Sequence, residues 1–90
     1  MAEASASDLA RARLAVEVLI EEMGVTAHLF AVEPREGVWA VIVECATDTG
    51  WQRAELQAGP ELLAAGRGDM QAKAALLAQW QPHLTACKRG

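Results

Sequence analysis

The chain is poor in most residues that mark a specialised protein. It has no tyrosine and one phenylalanine, so its aromatic character rests on Trp39, Trp51 and Trp80. Two lysines among 90 residues and a net charge of −4 work against a surface that holds nucleic acid by broad counterion release. Only local basic spots remain: Arg11 and Arg13 early in the chain, Arg67 and Lys73 around a glycine loop, and Lys88-Arg89 at the end. No apolar run approaches the roughly 20 residues needed to cross a bilayer. The first residues also lack the basic-then-apolar layout of an export signal, so a cytoplasmic protein without membrane contact is expected. Cys45 and Cys87 form no disulfide framework, and a reducing compartment suits both. The two histidines, His28 and His83, have no distinctive neighbourhood, so no Ser-His-Asp or Cys-His constellation can be argued, and no cofactor or metal is implied.

What is present is enough apolar material for a core: 52% hydrophobic against 22% charged residues. Much of it is alanine, which favours helix but buries little area, so the core must come from Leu, Val, Ile and tryptophan. A domain of this length buries only about two thirds of its unfolded surface, which leaves room for help from a second chain.

Taken in order, Met1 to Ala6 is small, polar and expected to fray. Ser5 lies three residues before Asp8, a spacing that caps the first amides of a helix. Leu9, Ala12, Val16, Leu19, Ile20 and Met23 then form one stripe on a helix over Ser7 to Met23, with Arg13, Glu17 and Glu21 opposite and Gly24 as its stop. Val25 to Glu33 reads as a first strand of imperfect alternation. Pro34-Arg35-Glu36-Gly37 predicts a hairpin turn into Val38 to Thr47, a β-branched stretch that suits a buried strand. Asp48-Thr49-Gly50 is a second turn, and Trp51 to Ala58 alternates as a half-exposed third strand, for which helix is the competing reading. Gly59-Pro60 opens a short helix through Ala65, Gly66-Arg67-Gly68 ends it, and Asp69 caps a last helix along Leu76, Leu77, Trp80, Leu84 and Cys87. Pro82 interrupts that stripe, which predicts a kink or a second helix from near Gln81.

The expected fold is α+β: a two-layer αβββα sandwich, a single domain over 1–90, with a three-stranded antiparallel meander and the N- and C-terminal helices on one face. In the central strand Trp39, Val41, Val43 and Cys45 point one way and Val38, Ala40, Ile42 and Ala46 the other. Both faces are apolar, so both need cover, the second from either the short Pro60 to Ala65 segment or another copy of the chain. This predicts a non-enzymatic interaction or accessory module, self-associating or bound to a protein partner, with Trp51, Ile42, Ala40 and Val38 at the contact.

Other motifs have weaker claims. Asp48-Thr49-Gly50 matches the catalytic triplet of aspartic proteases, but a hairpin needs the same residues for its backbone. Gly66-Arg67-Gly68-Asp69 leads into a helix N-terminus, where amides can hold a phosphate and where Asp69 would compete with it. His83 and Cys87 stand four apart, as two metal ligands can, but two do not close a site. The element order, with Gly66, Gly68, Ala72 and Lys73 at the start of the last helix, resembles the double-stranded RNA-binding domain. That family carries a lysine cluster in this loop and first turn; Lys73 is the one lysine matched, with Asp69, Met70 and Gln71 at the other positions. The same loop is similar to the Gly-x-x-Gly clamp of KH domains, with Ala65 where the first glycine belongs. The resemblance implies RNA binding with Lys73 at a matched position; the second reading is accordingly an RNA-binding module using Arg67 and Lys73 together with the basic residues Arg11 and Arg13, and an enzyme using Asp48, His28 or Glu44 is the third.

Overall fold

A computed structural model describes residues 5–25 and 28–87 of the chain; the expectations for residues 1–4, for Thr26 and Ala27 and for Lys88-Arg89 lie outside the described residues. Helix α1 spans Ala6–Glu22, and Ser5 caps it, its hydroxyl accepting from the Asp8 amide at 3.1 Å. Gly24, at φ +74°, ends the helical path where the sequence placed the stop. The stripe residues Ala12, Val16, Leu19, Ile20 and Met23 are all buried.

Three strands follow as an antiparallel meander in the order β1-β2-β3: β1 His28–Arg35, β2 Val38–Thr47 and β3 Gly50–Ala58. The segment after Trp51 is thus a strand, because its alternation outweighs the helix propensity of its individual residues. The first hairpin differs from expectation. Pro34 and Arg35 belong to β1, paired with Trp39 and Val38, and the turn is Glu36-Gly37, both at positive φ (+48° and +86°). Two residues of that hand match the right-handed twist of the flanking strands. Pro34 is tolerated because β1 is an edge strand, where a missing amide facing outward breaks no ladder bond. At the second hairpin Thr47 pairs with Gly50, whose φ is +114°, and the Thr47 hydroxyl donates to the Gly50 carbonyl at 2.7 Å.

Helix α2 spans Glu61–Gly66 after Pro60, and α3 spans Met70–Trp80, with the Asp69 carboxylate accepting from the Ala72 amide at 3.0 Å. The chain then turns into a 3-10 segment, Gln81–Cys87, with Leu84 outside helical geometry at φ −118°. This is the break that Pro82 predicts.

One core cluster joins α1 (Val16, Leu19, Ile20) to β1 (Val32), β2 (Trp39, Val41, Val43, Cys45), β3 (Leu56, Ala58), α2 (Leu62), α3 (Leu76, Trp80) and the 3-10 segment (Leu84, Cys87). The Trp80 indole donates to the Gln57 carbonyl at 3.2 Å, so the largest core side chain leaves no polar atom stranded. The expectation of two unlinked thiols is corrected. Cys45 and Cys87 form a disulfide, their Cα atoms 5.6 Å apart, because the 3-10 segment returns the end of the chain to the middle strand.

Candidate functional site

Two surfaces carry apolar side chains that the core does not use. The first is the sheet face opposite the cluster. Register places Trp51 beside Ala46, Leu29 and Arg53 on either side of Glu44, and Ala31 and Glu55 on either side of Ile42. Trp51 and Leu29 are each 61% exposed, and Ile42 and Val38 are half-buried. Ala40 is 5% exposed yet outside the core cluster; its cross-strand neighbours are Glu33 and Gln57. Of the four residues assigned to a contact, Trp51 is therefore the open one; Ile42 and Val38 are partly covered and lie further along β2 from Ala46, the cross-strand partner of Trp51, with Val38 at the far end of the strand, and Ala40 lies beneath its neighbours. Charges on this face pair along their own strands, Arg53 with Glu55 at 3.5 Å and Arg35 with Glu33 at 3.1 Å. Leu29 was not singled out in the sequence, although its alternation with Phe30 and Val32 already placed it on this side.

The second surface lies on α1. Leu14 (63% exposed) and Val18 (49%) sit away from the buried stripe, and Met70 at the start of α3 is 70% exposed. With Ala65, Gly66, Gly68 and Lys73 they line a shallow groove of about 200 Å³. Its floor is shaped by a close helix approach: a Cβ on Gly66 would come within 3.2 Å of the Ala15 methyl and 3.6 Å of the Arg11 carbonyl oxygen. The sequence did hold a signal for this groove, since Leu14 and Val18 are apolar yet fit no position of the stripe.

The candidate cations do not act together. Lys73 is held by Glu22 at 2.7 Å, with its side chain 24% exposed. Arg11 and Arg13 are exposed on α1, and Arg67 is exposed in the turn between α2 and α3. The anion-binding reading of that turn meets the competition foreseen for it, because Asp69 already occupies the Ala72 amide. Asp48 lies in an exposed hairpin turn whose polar contacts run between Thr47, Thr49 and Gly50. Cys87 is bonded to Cys45 and offers His83 no thiolate as a second ligand; the side chain of His28 lies outside what is described. Among the described residues, no three of His, Cys, Asp or Glu gather around a common point, and no helix is long and apolar enough to cross a membrane. No family model, no curated protein and no solved structure matches the chain.

Proposed function

We propose that the chain is a small non-enzymatic interaction module that works by association, and that the open sheet face, with Trp51 as its anchor, is a docking surface for protein. We read the architecture as a two-layer αβββα domain with its helices on one side of the sheet, which leaves the other side to a companion. The shortest dimension of the molecule, 17 Å, suits one helix layer over one sheet. The observation that carries the reading is the pair of large apolar side chains, Trp51 and Leu29, 61% exposed on the face that the core cluster does not use. An exposed indole is a poor use of a residue in a chain with so few aromatics, and buried indoles dominate interface energetics.

A photo-crosslinking residue at position 51, used in cells and on the purified chain, tests this. A discrete adduct, to a second copy or to another protein, that is lost on Ile42→Asp supports the reading. No adduct removes it. Salt-dependent binding of duplex RNA, lost on Arg67→Ala with Lys73→Ala, would replace it with the RNA reading. Cytoplasmic placement conflicts with the Cys45–Cys87 bond, because glutathione keeps most such pairs reduced there. Counting free thiols in protein taken directly from its cells decides between the two.

A further inference from the structure

The outward face of α1 carries more than an apolar patch. Ser7, Arg11, Leu14, Val18 and Glu21 are all exposed and follow one another at steps of four, three, four and three, the spacing that lines a single seam along a helix. The order of the last four is cation, apolar, apolar, anion. Reversed end for end, that order is complementary to itself. A second α1 laid antiparallel, with a two-fold axis midway between Leu14 and Val18, sets Leu14 against the partner's Val18 and Arg11 against the partner's Glu21, and both contacts recur by symmetry. A parallel pair would instead oppose Arg11 to Arg11 and Glu21 to Glu21.

Among the described residues neither Arg11 nor Glu21 has an ion-pair partner, whereas Glu22, one position on, is held by Lys73 at 2.7 Å. Glu21 also sits in the last turn of α1, where the helix dipole disfavours an anion and no basic residue offsets it. The groove beside the seam, lined by Met70, Ala65 and Gly66, gives the partner helix apolar surface beyond Leu14 and Val18.

We infer that the occupant of this face is a second copy of the chain, docked antiparallel through α1 and registered by two Arg11–Glu21 pairs. This rests on the reading of the chain as an interaction module, and it leaves the Trp51 face free for a different protein. A helix from another protein would need the same four residue types in the same reversed order, which a second copy has by construction.

The test is sedimentation equilibrium on the wild type, Arg11→Glu, Glu21→Arg, an equimolar mixture of those two, and Trp51→Ala; circular dichroism checks that each folds. The wild type is expected to form a reversible dimer. Each single reversal turns two attractive pairs into two repulsive ones and weakens the dimer at least about tenfold. Mixing the two variants restores opposite charges at both contacts and recovers a heterodimer near wild-type affinity, while Trp51→Ala leaves the dimer intact. A dimer indifferent to both reversals and broken by Trp51→Ala overturns the inference and keeps the proposed function. A wild type that stays monomeric at about 1 mM, where even weak specific association is half formed, overturns the inference too and leaves the position-51 crosslink to judge the function separately.

Discussion

Glu36 is the only non-glycine among the described residues at positive φ, +48°, and it opens the Glu36-Gly37 turn. A side chain in the left-handed region costs about 1–2 kcal/mol relative to glycine, and asparagine relieves part of that by bonding locally. Glu36→Asn should therefore stabilise the chain by about 0.5–1 kcal/mol, read as a higher urea midpoint with an unchanged slope. An unchanged or lower midpoint would mean that the Glu36 side chain makes a compensating contact. The sequence made this turn visible but not its handedness, because Pro34 draws the reading two residues early and only the pairing of Arg35 with Val38 excludes it. The tryptophans were easier to read. Trp39 and Trp80 stand on periodic apolar positions and are buried, while Trp51 stands among Arg53, Glu55 and Gln57 and is exposed. Trp80 also ties α3 to β3 through the Gln57 carbonyl, which the Gln79 amide reaches at 3.4 Å as well. Trp80→Phe keeps an aromatic ring but deletes one donor and part of the volume, so a loss of about 1–3 kcal/mol is expected in the same assay.

At the scale of elements, the caps were legible because each needs one residue type at one offset. Ser5 and Asp69 both do what their spacing predicts, each accepting from the amide three residues on. Asp69→Ala should cost about 1 kcal/mol, and Asp69→Asn only a fraction of that, since asparagine caps as well as aspartate. Equal losses from the two variants would show that the charge of Asp69, not its cap, stabilises α3. The seam on α1 was less legible, although Arg11, Leu14, Val18 and Glu21 were all in view. A stripe search finds the face that a helix buries in its own chain, and a second face becomes visible only after Ala12, Val16, Leu19 and Ile20 have claimed the first. Similarly, strand alternation separated Val41 and Val43 from Val38 and Ile42, yet it could not say that Ala40 would be buried at 5% on the outward face. That depends on Glu33 and Gln57 beside it, which the register alone brings there.

For the whole molecule the disulfide changes the energetics most, and it was the feature least accessible from sequence. Two cysteines 42 positions apart give no sign of meeting, and a cysteine in an apolar strand reads as a packed thiol. They meet because the chain returns through β3, α2 and α3 and then bends at Leu84, which lays Cys87 under the middle strand. Closing a loop of that length removes unfolded-chain entropy worth about 4 kcal/mol at 25 °C, of which about 2–4 kcal/mol is usually realised. A 90-residue domain holds roughly 5–13 kcal/mol in total, so the bond carries a substantial share of the stability. Reduction should lower the unfolding free energy by about 2–4 kcal/mol, and Cys87→Ser should reproduce the loss and abolish any further effect of reductant. Because Cys45 is fully buried and Cys87 is 4% exposed, thiolate attack on the bond requires local opening. Reduction of the folded chain should then be slow in buffer and accelerate with urea. A bond that reduces rapidly in buffer, or a Cys87→Ser chain as stable as the wild type, would show that the 3-10 segment is held on the sheet by Leu84 and its apolar neighbours alone.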